Sequence, residues 1–327
     1  MGKRILLIND QPSYGKVALA AMVPILSSMK HDPFCLPTAL VSNTLDYEKF
    51  FIQETTDYMK ESLAAWEALG FTYDAVCTGF LVSKPQTELV ISICKDLAAQ
   101  GKPVFCDPIM GDDGHLYNGV GPETVDLMRE LASCADYIVP NYTEAAAMAN
   151  VPYKAEGMTW PEACQLVDAL RDMGAKSVIV TSAILTDEDF RHCVVGYDHH
   201  TGEFFRRAFS EVPMRFPGTG DIYSAVFTGK VMAGMGVQEA NAIAMQAVRN
   251  MIVASNKMTG DYTGIPVEAF LNCIPDSVEE AAVEEAAVEE TAVEETAVEG
   301  AAAEPAVAVA EPVANAAEPA AAGADAR

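Results

Sequence analysis

Phe216-Pro217-Gly218-Thr219-Gly220-Asp221 runs directly into Ile222-Tyr223-Ser224-Ala225-Val226-Phe227. Beyond it Ile222, Ala225, Val226, Gly229, Met232 and Ala233 recur at helical spacing, one face of a buried helix. Two glycines therefore stand just ahead of a helix N-terminus. There the first N–H groups lack intrahelical acceptors and the helix dipole is positive. Such an end suits an anion, above all a phosphate. Asp221 in the first turn has two readings: a capping carboxylate, or a general base beside an anion hole. The rest of the chain has to choose.

Upstream, apolar runs alternate with helical periodicities. Strands are predicted at Arg4–Ile8, Phe34–Val41, Ala75–Phe80, Pro103–Asp107, Tyr137–Val139 and Ser177–Thr181. Helices are predicted between them: after Gly15 to about Met29, on the Met59/Leu63/Trp66/Leu69 face, on the Val90/Ile93/Cys94/Leu97 face closed by Gly101, and on the Val125/Met128/Leu131 face. Two more lie near Thr143–Asn150 and Pro161–Met173. This alternation implies βαβ units and a largely parallel sheet covered by helices on both faces. Ligands bind such sheets at the C-terminal strand ends. Asp10, Asp107, Asn141 and Thr181 all fall there.

Later the pattern changes. His192–Tyr197 and Glu203–Phe209 predict an antiparallel hairpin, with His199-His200 in a solvated turn rather than on a metal, since no third ligand is evident. Helices over Val237–Lys257 and Pro266–Asn272 close a domain spanning 1–275.

The formal charge of −26 is unevenly spread. From Asp276 onward there are 14 acidic residues against one basic, leaving 33 acidic and 20 basic in the remainder. That balance argues against a nucleic-acid surface, which needs a basic stripe. Residues 276–327 repeat Ala-Val-Glu-Glu and then run to Ala, Pro and Glu without an aromatic residue, so a disordered acidic extension is expected. The eight cysteines form no C-x-x-C pair, and no apolar run reaches 18 residues. Met1-Gly2-Lys3-Arg4-Ile5 reads as the start of a strand rather than a signal peptide. The expectation is a soluble, cytoplasmic protein with reduced thiols.

Three further fragments bear on the reading of Asp221. Asp107-Pro108-Ile109-Met110-Gly111-Asp112-Asp113-Gly114 puts carboxylates at a strand end beside a flexible loop. Asn141-Tyr142-Thr143-Glu144 follows the next strand, and Thr181-Ser182 ends a third. Singly, each is an ordinary turn or cap. Together with the Gly-Thr-Gly-Asp helix start they supply carboxylates for Mg²⁺, an anion hole and a base. Phosphoryl transfer needs those parts, because charge neutralisation and alignment do most of its catalysis.

In this order and spacing the chain resembles the ribokinase-like superfamily and, within it, the pyridoxal/pyridoxamine kinase family, over roughly residues 4–272. The resemblance rests on Asp107-Pro-Ile-Met-Gly-Asp112 with Gly114-x-Leu116-Tyr117, on Pro140-Asn-x-x-Glu144 and on Gly218-Thr-Gly-Asp221. Gly79-Phe80-Leu81 is similar to the family's Gly-Tyr-Leu segment. Pro37-Thr38-Ala39-Leu40 and Ile8-Asn9-Asp10 look most like its bacterial pyridoxamine-kinase branch.

The resemblance implies an α/β, ribokinase-like three-layer sandwich with a mostly parallel central sheet. It implies ATP-dependent phosphorylation of the 5′-hydroxymethyl group of a B6 vitamer, with Mg²⁺ and, left open, a monovalent cation such as K⁺. Asp221 would be the base, and the N–H groups of Gly218, Thr219 and Gly220 would hold the transferring phosphoryl oxygens. Asp107 and Glu144 would hold Mg²⁺ directly or through water, Asn141 and Asp112 would line the triphosphate, and Thr181 would lie near the nucleotide. Asp10 would meet the polar edge of the vitamer ring and Phe80 its face, with Asn43 and Thr44 in the same pocket. A homodimer is the family expectation.

The chain departs from the family twice. Asp10-Gln11 stands where many pyridoxal kinases have Ser-His, and a carboxylate there suits an ammonium or a protonated ring better than a carbonyl. Asn43-Thr44-Leu45-Asp46 replaces a Thr/Asn-His-Thr-Gly segment, so the expected threonine aligns with Leu45, or with Thr44 after one deletion. Two alternatives stay open. One is a hydroxymethylpyrimidine, sugar or nucleoside kinase of the same fold, although Asp221 stands where the pyrimidine kinases often carry Cys, and Asp46–Thr55 is short for a sugar-kinase lid. The other is a vitamer- or nucleotide-binding protein without turnover.

Overall fold

The computed structural model describes residues 2–45, 47–117, 120–187, 191–258 and 264–281. Most of the acidic extension, residues 282–327, lies outside them. In chain order the first half contains β1 (Arg4–Pro12), α1 (Ala18–Ser28), β2 (Asp32–Val41), β3 (Ile52–Glu54), α2 (Thr56–Ala68), β4 (Ala75–Thr78) and α3 (Lys84–Ala99). It continues through β5 (Val104–Cys106), β6 (Gly111–Asp112), β7 (His115–Leu116), α4 (Pro122–Ala132), β8 (Tyr137–Ile138), α5 (Tyr142–Ala149) and α6 (Trp160–Asp172). The last elements are β9 (Ser177–Ile184), β10 (His192–Asp198), β11 (Glu203–Ala208), α7 (Thr219–Met232) and α8 (Val237–Asn256).

Nine strands form one sheet in the order β11-β10-β9-β8-β5-β4-β1-β2-β3. From β9 to β2 every pair is parallel, and β3, β10 and β11 add antiparallel edges. Alternate side chains leave opposite faces of each strand. Leu6, Ile8, Val76, Val104 and Ile138 join the core under α3 to α6, with Met59 of α2. Ile5, Leu7, Cys77, Phe105 and Ile179 join the core under α1, α7 and α8. Strands buried on both faces read as continuous apolar runs, which is why Ile5-Leu6-Leu7-Ile8 is unbroken.

The connection from β1 to β2 passes through α1 on one face, whereas α2 enters β4 on the other. Strand order therefore reverses between β1 and β4. A crevice opens at the C-terminal ends of strands flanking such a reversal.

Several predicted boundaries move for identifiable reasons. β4 stops at Thr78 rather than Phe80, because the N–H of Phe80 donates to the Asn9 side chain (2.8 Å) instead of to a strand neighbour. The loop after Asp107 contains a two-residue hairpin, β6 paired with β7. The helix expected over Pro266–Asn272 is two 3₁₀ turns, Val267–Ala269 and Leu271–Cys273, separated at Phe270, whose φ of −125° leaves the helical region. The Asp46–Thr55 stretch supplies only β3, antiparallel to β2; Asp46 itself lies outside the described residues. His199 and His200 are held by Ser177 (2.7 Å) and Tyr137 (3.1 Å), and all eight cysteines are free thiols. No helix among the described residues is long and apolar enough to cross a membrane.

Candidate active site

The site forms at the strand ends flanking the reversal. β1 and β2 slip register there, with Asn9 paired to Pro37 but Gln11 to Leu40, so Asp10 sits at an irregularity that re-aims the strand. Asn9 is 2% exposed. Its Oδ1 accepts the N–H of Phe80 (2.8 Å) and of Asp10 (3.0 Å). Its Nδ2 donates to Asp221 Oδ1 (3.2 Å). The carbonyl of Phe80 accepts from Thr38 Oγ1 (2.8 Å), so the peptide groups on both sides of Phe80 are held.

Asp221 arrives from the first turn of α7, on the opposite layer from α3 to α6. Gly218 caps that helix with φ of +84°, a left-handed conformation that favours glycine. A second carboxylate contact comes from the N–H of Ala18, itself at φ +48°. Burial raises the Asp221 carboxyl above the usual range, while the Ala18 N–H and the Asn9 amide draw it back down. Asp10 is pushed up to about 7, by burial first and then by the neighbouring Asp221 charge.

A second group of acids lies further along the sheet edge. Asp107 follows β5 and accepts from Ser224 Oγ (2.7 Å), one helical turn beyond Asp221 on α7. Burial and the Asp221 charge raise it to about 7, against the Ser224 bond. Glu144 is 3% exposed and closes a capping box with Asn141 at the start of α5. Its oxygens accept from the N–H groups of Met110 (2.9 Å) and Asn141 (2.8 Å), and Asn141 Nδ2 donates to the carbonyl of Gly111 (2.7 Å). Burial and the Asp107 charge hold Glu144 well above its ordinary value. Thr181 bridges to Asn141, its N–H donating to Pro140 O (2.9 Å).

Acids crowded into a desolvated edge are stabilised by any cation that enters it. Among the described residues no three His, Cys, Asp or Glu side chains form a ready-made metal cage. That donor set suits Mg²⁺, which takes one or two carboxylates and completes its shell with water and phosphate oxygens. Asp107 has an oxygen free of the Ser224 bond, whereas both Glu144 oxygens already accept backbone N–H groups, which favours contact through water.

The remaining predicted residues are held differently. Asp112 lies in β6 and pairs with Arg215 (2.8 Å), which also pairs with Asp113 (2.6 Å). Asn43 is engaged within its own turn, by Ser42 Oγ, Thr44 O and Lys49 O. Thr44 is 2% exposed, its N–H donates to Tyr14 O (3.2 Å), and its hydroxyl has no partner among the described residues. An open cleft of about 700 Å³ lies over this turn, lined by Tyr14, Ser42, Asn43, Tyr47, Glu48 and Lys49 and by none of the strand-end carboxylates.

Three residues escaped the sequence reading of the site: Asn9, Ser224 and Arg215. Ser224 carried a signal, since i+3 from Asp221 shares its helix face. Asn9 carried a weaker one, a polar residue closing an apolar strand. Arg215 carried none beyond its place shortly before Gly218.

The phosphomethylpyrimidine kinase family profile matches residues 26–266. A pyridoxal kinase of Burkholderia lata is 26% identical over 262 residues, which cover 77% of this chain and 89% of that one. A pyridoxal kinase of Dictyostelium discoideum is 28% identical over 167 residues, 48% of this chain and 53% of its own length. Among solved structures, a Bacteroides thetaiotaomicron protein provisionally assigned as a phosphomethylpyrimidine kinase, in a crystal form with pyridoxal, superposes with a TM-score of 0.80. It is 33% identical, and the match covers 86% of this chain and 98% of that one. With these likenesses spanning the layered sheet and its strand-end acids, the chain belongs to the phosphomethylpyrimidine kinase family, the kinases that also include the pyridoxal kinases.

Proposed function

We propose that this kinase transfers the γ-phosphoryl group of ATP to the 5′-hydroxymethyl group of a B6 vitamer. The observation that carries the reading is the position of Asp221. It lies at a helix start that has no side-chain cap and, through Asn9, beside Asp10 and Phe80 at the strand reversal. The pyridoxal in the similar Bacteroides thetaiotaomicron structure supports the vitamer as acceptor.

In this reading the vitamer ring lies against Phe80 with its polar edge towards Asp10, and Asn43 and Thr44 border the same pocket. Asp221 takes the hydroxyl proton as that oxygen attacks the γ-phosphorus and the bond to the β-phosphate oxygen breaks, releasing ADP. Its raised pKa makes it a better proton acceptor than an exposed carboxylate. The N–H groups of Gly218, Thr219 and Gly220 face the charge that builds on the transferring group. Asn141, Asp112 and Thr181 border the nucleotide. Mg²⁺, held by Asp107 and through water by Glu144, would neutralise phosphate charge. A monovalent cation such as K⁺ and a homodimer belong to the same proposal.

One observation favours a second acceptor. Asp10 offers a carboxylate to the ring edge, which suits the amino group of hydroxymethylpyrimidine as well as that of pyridoxamine. The test is ATP consumption with Mg²⁺, offering pyridoxal, pyridoxamine, pyridoxine and hydroxymethylpyrimidine separately, with product masses. Turnover of a vitamer supports the reading; turnover of the pyrimidine alone transfers it to the second acceptor. Tight vitamer binding without turnover would make the protein a binder.

A further inference from the structure

Both polar atoms of the Asn9 side chain are committed, and one of them is committed to Asp221. The amide carbonyl oxygen accepts two backbone N–H groups, from Asp10 and Phe80, so the amide cannot be turned round without opposing N–H to N–H. The NH₂ group is thereby aimed at Asp221 (3.2 Å), with Met22 Sδ as its other neighbour (3.5 Å). The pocket also enforces the arrangement. A Cβ at residue 79 would lie 2.5 Å from Asn9 Nδ2 and 2.6 Å from its Oδ1, so the glycine there lets the amide pass between β4 and α7.

We propose that Asn9 is a positioning residue that fixes the Asp221 carboxylate in its proton-accepting orientation and ties it to the Phe80 wall of the acceptor pocket. The proposal rests on the reading of Asp221 as the base and goes beyond it. The ring seat and the base sit on elements 141 residues apart in sequence, Phe80 and Asp221. One amide sets their separation. Misplacement of a reacting group by about 1 Å can cost on the order of 100-fold in rate, so such a joint belongs to the chemistry and not only to stability.

The two ends of the amide can be removed separately. Asn9→Asp keeps an acceptor for the Phe80 and Asp10 N–H groups and replaces the fixed amide donor with a second carboxyl beside Asp221. Asn9→Ala loses both. Expected for Asn9→Asp is a kcat lowered by about 10- to 100-fold, with KM for the vitamer and for ATP within about threefold of the parent. For Asn9→Ala, KM for the vitamer should rise as well. Asn9→Ser, too short to reach Asp221, serves if Asn9→Asp does not fold, and should also lose kcat.

Asp221→Asn is measured in parallel. If it is inactive while folded Asn9→Asp or Asn9→Ser keeps kcat within about threefold, the positioning role is overturned and the base reading stands. If Asp221→Asn itself keeps kcat, both fall, because there is no base to position. A lowered melting temperature with unchanged kcat would make Asn9 purely structural and overturn the proposal.

Discussion

The carbonyl oxygen of Lys16 lies 2.5 Å from where a Cβ on residue 218 would stand, and Gly218 holds φ at +84°. The loop after β1 therefore rests directly on the start of α7, the helix end proposed to hold the transferring phosphoryl group. Gly218→Ala meets backbone on one side and a disfavoured dihedral on the other, a cost of at least about 1 kcal/mol. Its melting temperature should fall by several degrees and its kcat with it. A Cβ at Gly220, by contrast, meets nothing within 4 Å, so Gly220→Ala should melt within about two degrees of the parent. Equal melting of all three proteins would remove the contact from the argument.

If Asp221 is the base proposed above, Asp221→Ala removes a group needed in the transition state and not for holding nucleotide. Its kcat should drop by two or more orders of magnitude, about 3 kcal/mol or more, with KM for ATP nearly unchanged. Steady-state kinetics decide this. Near-parental kcat would return Asp221 to the capping role that its first-turn position also allowed.

Asp10 gives a pH prediction. Its folded value of about 7 lies above the ordinary 3.8, so the folded state disfavours its charge. The stability it contributes is full below about pH 4 and is lost as pH rises through 7. Asp10→Asn should accordingly match the parent in urea melts at pH 4 and exceed it by about 1 kcal/mol or more at pH 8. The same variant should lower the turnover of pyridoxamine relative to pyridoxal. Parallel stability curves would show the carboxylate to be solvated.

Arg215 straps Asp112 and Asp113 of the β6–β7 turn to the segment leading into Gly218. Its side chain is 73% exposed, so the ion pairs add little stability, about 1 kcal/mol at most. Arg215→Ala should melt near the parent but raise KM for ATP several-fold, because two carboxylates would then face the triphosphate uncompensated. A changed melting temperature with unchanged KM would make the strap structural.

The layered sheet, its alternating order and the strand-end acids could be read from local signals. Apolar runs, helical spacing and the Asn141-x-x-Glu144 capping box each act over a few residues, so their physics is contained in a short window of sequence. The same locality explains the misses. β3 and the β6–β7 pair are too short to show a period, and the 3₁₀ turns after Pro266 depend on one backbone angle at Phe270.

What the sequence alone determined was which chemical groups stand at the ends of which elements. The tertiary structure decided which of them meet. Asn9 and Asp221 are 212 residues apart, Asp107 and Ser224 are 117 apart, and Asp112 and Arg215 are 103 apart. These pairings require α7 to cross the ends of β1 and β5, and that crossing follows from burial of apolar faces on both sides of one sheet. No spacing between neighbouring residues encodes it, because the energy that enforces it is distributed over the whole core.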